Sequence, residues 1–338
     1  MRAAYYEKNG PAREVLKLGE VDTPQPGRGE VRVKLATSGV NPSDVKSREG
    51  RTRKIAFPRV IPHSDGAGVI DQVGPGVAPG RVGERVWTWN AQWKRAFGTC
   101  AEYVILPAGL AVHLPPHIDF DAGACLGIPA MTAFHAVAKA ETWAGATLLI
   151  SGGAGAVAHY AIQFAKARGA VVIATVSSDA KGKLARAAGA DHVVDYKRDD
   201  VGAAVMDLTD KAGVDAVIEL DIAANAKLLP TVLRPKGQVV IYGTGAAEAV
   251  IPAQWLLVNA IALKFIFVYE LTEQERMAAL AAITHGLVAR TLIHNVAATF
   301  PLSDIVAAHE AVESGTMMGN AVVRLALEHD PEKSLPRT

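Results

Sequence analysis

The chain has 338 residues, half of them apolar, 20% charged and 6% aromatic, a length that gives about two domains with a core each. This apolar content, with 31 glycines and 18 prolines scattered along the chain, excludes a disordered, collagen-like or low-complexity protein. Thirty-five basic against 34 acidic side chains leave a formal charge of +1, so no global field draws the chain to nucleic acid or an anionic membrane.

The first 120 residues read as β-rich. Glu30–Val40 alternates, with Val31, Val33 and Leu35 on one face and Arg32 and Lys34 on the other. Segments 66–73 and 102–106 are further strands, parted by turns such as Gly74-Pro75-Gly76 and Pro79-Gly80, and the pattern predicts a compact antiparallel or barrel-like domain. From about residue 125 the rhythm changes. Thr147–Ile150 is a short apolar strand ending in glycines, followed by the helical pattern Val157, Ala161, Ile162, Phe164 and Ala165. Strands at 171–176, 214–220, 238–242 and 263–268 then alternate with helices, including 180–188 and 277–287. Strands apolar throughout and alternating with helices predict a parallel sheet covered on both faces. Segments 295–300, 303–314 and 321–325 are too short for a domain of their own and are expected to return to the first. The expected division is therefore 1–124 with 270–338, and 125–269. The polar tail 328–338 is expected to fray.

Arg2, Glu7, Lys8, Arg13, Glu14 and Lys17 leave no apolar run that reads as a signal peptide. The longest apolar stretch, near 250–263, is interrupted by Pro252, Gln254 and Asn259, so no membrane span is expected. Two cysteines, Cys100 and Cys125, make neither a disulfide framework nor a cysteine zinc site, and each reads as a small buried residue. A cytoplasmic protein is expected.

The most informative stretch is Ser151-Gly152-Gly153-Ala154-Gly155-Ala156-Val157-Ala158, a Gly-x-Gly-x-x-Ala pattern between a strand and a helix. Gly153 suits the tight turn, Gly155 lets a pyrophosphate approach the backbone, and Ala158 is small enough for helix to pack on strand. The helix N-terminus offers free N–H groups to the anion. A tight turn without ligand is the alternative. An NAD site places an acid about 20 residues further on. Here the next strand ends in Val176-Ser177-Ser178, followed by Lys181, which suits the 2′-phosphate of NADPH by charge and hydrogen bonding. Asp179 stands against that reading, and Ser177-Ser178 also fits an ordinary helix N-cap.

Nearly the whole chain, about 1 to 327, resembles the quinone oxidoreductase (zeta-crystallin) branch of the medium-chain dehydrogenase/reductases. The matching segments are Gly39-Val40-Asn41-Pro42-Ser43-Asp44, Gly66-Ala67-Gly68-Val69-Ile70, Ala101-Glu102-Tyr103, Gly127-Ile128-Pro129-Ala130-Met131-Thr132-Ala133 and Gly189-Ala190-Asp191-His192-Val193. The resemblance implies an α/β chain, a doubly wound Rossmann coenzyme domain beside a GroES-like β-barrel domain, with NADPH in the cleft between them. It implies that Asn41 and Thr132 lie near the nicotinamide and that Lys181 and Tyr196 surround the 2′-phosphate. Tyr242, Gly243, Thr244, Gly245, Phe265, Ile266 and Phe267 then line the coenzyme, Asn320 closes the site, and Asn225 is a further candidate. Departures are Ala156 and Ala158 where relatives carry glycines, Lys46 where they often carry a tyrosine near the quinone pocket, and no basic residue near Asn320. Lys46 then acts differently, attracting an anionic oxygen.

Zinc-dependent cousins need cysteine, histidine and acidic ligands. Here the corresponding positions hold Asn41 and Ile128, and His63 reads as a polar loop or cleft histidine, so no metal is expected. Without a Lewis acid, reduction of a quinone or conjugated enone is favoured over alcohol oxidation. No general acid stands out. The alternatives are an enoyl or alkenal double-bond reductase, and a non-enzymatic crystallin-like or RNA-binding protein on the same scaffold. The run 87–97, with Trp87, Trp89 and Trp93, reads either as a loop whose rings stack on a flat acceptor or as domain packing. The basic run 46–54 reads as a solvated loop, or as a site that steers an anion. The apolar segment 265–269 reads as a sheet edge that pairs across a two-fold axis, giving a homodimer, or as a strand under a covering helix.

Overall fold

A computed structural model of the protein describes residues 1–325; the tail at 328–338 lies outside the described residues. The chain forms two compact units, Met1–Ile128 with the described chain from His294 on, and Pro129–Ile293. These bounds differ from the expected ones for physical reasons. The backbone N–H of Ile128 donates to the buried Asp65 carboxylate at 2.9 Å, holding 125–128 to the first unit. The helix Glu273–Val288 packs on the helix Met131–Lys139, with Lys139 Nζ 2.9 Å from Glu275, and stays with the second unit.

The first unit is built on a seven-stranded sheet around Glu30–Val40. One edge of that strand pairs antiparallel with Asp65–Val73. The other pairs with Tyr103–Pro107 over residues 30–34 and with Asn320–Arg324 over 37–40. The predicted alternation is the reason: Val31, Val33 and Leu35 are buried with Ile70, Val86, Val104 and Leu106, while Lys34 is exposed. Irregularities at Arg32/Val33 and Leu35/Thr37 bend the strand and turn the sheet towards a barrel.

The second unit holds six parallel strands in the order His192–Asp195, Val171–Val176, Thr147–Ile150, Val214–Glu219, Leu233–Ile241 and Ala262–Phe265. Leu148, Leu149, Ile150, Val172, Ile173 and Ala174 have no exposed surface, as strands covered on both faces require. Counted along the chain this is the order 3-2-1-4-5-6 of a doubly wound Rossmann sheet. The last strand ends at Phe265 rather than 268, and a short 3-10 turn, Val268–Glu270, follows. No helix among the described residues is long and apolar enough to cross a membrane.

Candidate coenzyme and substrate sites

In a parallel sheet the C-terminal ends of all strands share one edge, and ligands bind there, where the strand order reverses. Nearly all the predicted coenzyme residues of the second unit follow such an end. Tyr196 follows Asp195, Ser177 and Ser178 follow Val176, and Gly152–Gly155 follow Ile150. Asn225 lies just beyond Glu219, Tyr242–Gly245 follow Ile241, and Ile266 and Phe267 follow Phe265. Thr132 is buried in the helix Met131–Lys139.

The glycine turn is locked from beneath. Gly152 and Gly153 donate their N–H groups to Thr175, at 3.1 Å to its hydroxyl and 2.8 Å to its carbonyl. The left-handed conformation falls on Gly152, φ 70°, not on Gly153. A Cβ on Gly153 would meet Ala174 Cβ at 2.8 Å and Ala185 Cβ at 3.0 Å, so that glycine serves close packing. A Cβ on Gly155 would meet only the Gly152 carbonyl, at 3.2 Å. Gly155 opens the helix Ala156–Ala167, which no side chain caps, whereas the helices beginning at Asp179, Val201 and Ile222 are capped by Ser178, Asp200 and Asp221. N–H groups of Ala154, Ala156 and Val157 at an uncapped helix start, beside a glycine that leaves the backbone bare of a side chain, fit a pyrophosphate.

Glu219, which sequence reasoning passed over, anchors this edge. It is 1% exposed and accepts from Ser151 Oγ at 2.7 Å, Asn225 Nδ2 at 2.8 Å and the Asp221 N–H at 2.5 Å. Asn225 is thus held by the carboxylate. Asp221 in turn accepts from the Gly245 N–H at 2.8 Å, fixing Tyr242–Gly245 next to it. The signal available was an acid closing the apolar run Ala216-Val217-Ile218.

At the tip of the second strand, Ser178 caps its helix by accepting from the Lys181 N–H at 3.3 Å. Asp179, the objection to a 2′-phosphate, pairs with Arg198 at 2.9 Å, which offsets its charge. A cavity of about 410 Å³ beside Ser178 is lined by Lys183, Arg186 and Arg198 as well as Asp179, Asp195 and Asp199; Lys181 does not line it. Tyr196 is 53% exposed.

In the first unit, Asn41 caps the helix Pro42–Glu49 and is buried. Its Nδ2 donates to Asp65 at 2.7 Å and its N–H to Asp44 at 2.8 Å. Burial pushes the Asp44 carboxyl up to about 7 and raises Asp65 well above the usual range. Asp65 is the hub that sequence reasoning missed; a Cβ on Gly127 would strike its Oδ1 at 2.0 Å. Asn320 donates its N–H and Nδ2 to the Asn295 carbonyl, at 2.9 and 3.1 Å.

Three expectations change here. His63 is no cleft histidine: it is fully buried, its Nδ1 2.8 Å from Ser38 Oγ and its Nε2 2.9 Å from His309 Nε2, with the two rings stacked. Trp89, offered as a stacking platform, is 2% exposed, and Trp93 is the ring of that run which lines a cavity. The basic run is not one solvated loop, because Arg48 is fully buried, donating to the Gly10 carbonyl at 2.6 Å and paired with Glu313. Lys46 is half-buried on the same helix. Cys100 and Cys125 are both buried, and among the described residues no three His, Cys, Asp or Glu side chains gather so as to hold a metal ion.

The family described as zinc-binding dehydrogenase matches residues 156–284, and the alcohol dehydrogenase GroES-like domain matches 27–116. A 2-haloacrylate reductase of a Burkholderia species is 30% identical, over 96% of this chain and 98% of its own. A quinone oxidoreductase of Pongo abelii is 29% identical, over 94% and 95%. Among solved structures, an NAD-dependent alcohol dehydrogenase superposes with a TM-score of 0.88 at 28% identity, covering 96% of this chain and all of the other. A mycobacterial protein in complex with NADPH superposes with 0.86 at 27%, with the same coverage. With the Rossmann strand order and the GroES-like unit both in place, the chain belongs to the quinone oxidoreductase branch of the medium-chain dehydrogenase/reductase family.

Proposed function

We propose that this oxidoreductase is an NADPH-dependent reductase of quinones or related α,β-unsaturated carbonyls, acting without a metal ion, as a homodimer, in the cytoplasm. The observation that carries the reading is the turn after Thr147–Ile150: an uncapped twelve-residue helix opening on Gly155, where a Cβ would meet only the Gly152 carbonyl, at 3.2 Å. Ala156 and Val157 present N–H groups to the pyrophosphate, while Ser178 and Lys181 offer hydroxyl and ammonium to the 2′-phosphate where NAD sites place an acid. Residues 177–181 are the ones on which we expect the choice between NADPH and NADH to turn.

A reduced nicotinamide coenzyme held by these residues would supply a hydride, which with one proton from water would amount to the two electrons and two hydrogens that the acceptor takes up. The chain's own work is positional. Asp65 fixes the Asn41 amide, Glu219 and Asp221 fix the strand-end loops, and Thr175 fixes the glycine turn. Proximity and orientation supply the rate where the electron-poor acceptor needs no Lewis acid. Double-bond reduction is the second reading, favoured by the relative named 2-haloacrylate reductase.

The test is steady-state NADPH oxidation with 9,10-phenanthrenequinone, benzoquinones and alkenals. Turnover is expected with at least one class. No turnover with any acceptor, together with salt-sensitive RNA binding, overturns the reading in favour of a non-enzymatic scaffold.

A further inference from the structure

The basic run 46–54 and the tryptophan-rich run 87–97 are distant in sequence, yet they meet in one cavity of the first unit, of about 330 Å³. Its wall carries the cations Arg53, Lys54 and Lys94 and the rings of Tyr6, Phe57 and Trp93; among the described residues no Asp or Glu lines it. In a chain of net charge +1, this local excess is not the average surface.

Two of the three cations are held in place. The Arg53 guanidinium lies 5.1 Å over the Trp93 ring, donates from Nε to Ser47 Oγ at 3.2 Å and is bonded to Gln92. Lys94 is kept at φ 57°, a backbone region rare for a side-chain-bearing residue, with its ammonium 5.6 Å from the same ring. Ser47 lines the cavity from the helix Pro42–Glu49, whose N-cap is Asn41, so cavity and Asn41 share one rigid element about 9 Å apart along its axis. Guanidinium and ammonium groups beside an aromatic face recognise a flat anion, its acidic oxygens on the cations and its π-system on the ring.

We propose that this cavity selects a small anionic conjugated acceptor, a quinone or activated alkene bearing a carboxylate or sulfonate, with Arg53 and Lys54 as the specificity-determining cations. The proposal rests on the reductase reading and extends it to the charge of the substrate. A volume near the lower end for ligand sites limits the acceptor to about one or two rings.

Matched acceptors test it: monomethyl fumarate against dimethyl fumarate, and 1,2-naphthoquinone-4-sulfonate against 1,2-naphthoquinone. The ratio of kcat/KM, anion over neutral partner, is expected to exceed one, to fall with added salt, and to drop at least tenfold in Arg53→Gln and in Lys54→Gln. Lys54 is exposed, so its variant keeps the fold. A reading independent of turnover is tryptophan quenching by the naphthoquinone sulfonate, expected to saturate in the wild type and to need at least tenfold more ligand in Arg53→Gln. Turnover with an unchanged ratio in both variants overturns the anion site and leaves the reductase reading standing. Arg53-dependent quenching without turnover of any acceptor does the reverse.

Discussion

Gly153 and Gly155 sit two residues apart in one turn, yet their missing side chains do different things. Gly153→Ala drives a methyl group into Ala174 and Ala185, an overpacking of about 1–3 kcal/mol, and should lower the melting temperature by several degrees. Gly155→Ala meets one carbonyl oxygen at 3.2 Å, so it should lower the melting temperature less than Gly153→Ala does, and Gly155→Val should weaken NADPH at least tenfold. Wild-type NADPH affinity in Gly155→Val would contradict the phosphate assignment. Lys181→Ala should weaken NADPH far more than NADH, by the 1.5–3 kcal/mol or so of a charge-assisted contact; equal losses would sink the 2′-phosphate contact. The buried histidines set a pH dependence. Burial lowers His63 from 6.5 to about 3 and His309 well below its ordinary value, so both are neutral in the fold and charge on unfolding. Their contribution is complete above pH 6.5 and is lost as pH falls from there, for His63 towards about 3, at about 1.4 kcal/mol per pH unit for each group while it titrates only in the unfolded chain. Asp44 and Asp65, raised by burial, act oppositely: their contribution is complete below their ordinary value of 3.8 and is lost as pH rises, for Asp44 through about 7. The stability gap between wild type and His309→Gln in urea should therefore shrink from pH 7 to pH 5, and a constant gap would exclude a neutral buried His309. The motif was legible at this scale, but which glycine takes φ 70° was not, since backbone angle depends on the Thr175 contacts beneath the turn.

The elements that sequence placed best are those whose cores are local. Five of the six parallel strands are visible as apolar runs, and Glu30–Val40 because it alternates; His192–Asp195, a short edge strand holding His192 and Asp195, was not. Elements fixed by distant partners were not. The basic run 46–54 looked solvated because the Glu313 that neutralises Arg48 lies 265 residues away. The helix Glu273–Val288 begins four residues early because Thr272 and Glu275 form a capping box, a Thr-x-x-Glu signal that was on the page and unused. Among the described residues the last strand, Ala262–Phe265, bonds a neighbour on one side only, and around it Phe265, Phe267, Leu257 and Val258 are 54–81% exposed. A sheet edge and apolar patch of this kind invite a second copy. Light scattering on a sizing column should give twice the 35.5 kDa chain mass for the wild type and a monomer for Leu257→Glu/Val258→Glu. A monodisperse wild-type monomer would remove the dimer.

At the scale of the whole molecule, two folded units follow from length and composition, and their order follows from the change of rhythm near residue 125. The bounds moved because domain membership is decided by packing: Ile128 by the Asp65 carboxylate, and the helix Glu273–Val288 by Met131–Lys139. Of the proposed site, the strand-end positions were readable because a parallel sheet places every strand end together, whereas Asp65 and Glu219 were not, because a buried carboxylate matters through partners that sequence spacing does not reveal. The cation-lined cavity joins two runs read separately for the same reason. What all of this depends on is that the turn after the first Rossmann strand grips a phosphorylated dinucleotide. Calorimetric titration of the purified protein with NADPH and then NADH asks that most directly. Saturable binding of NADPH, at least tenfold tighter than NADH, is the expected result; no heat with either coenzyme would contradict the account.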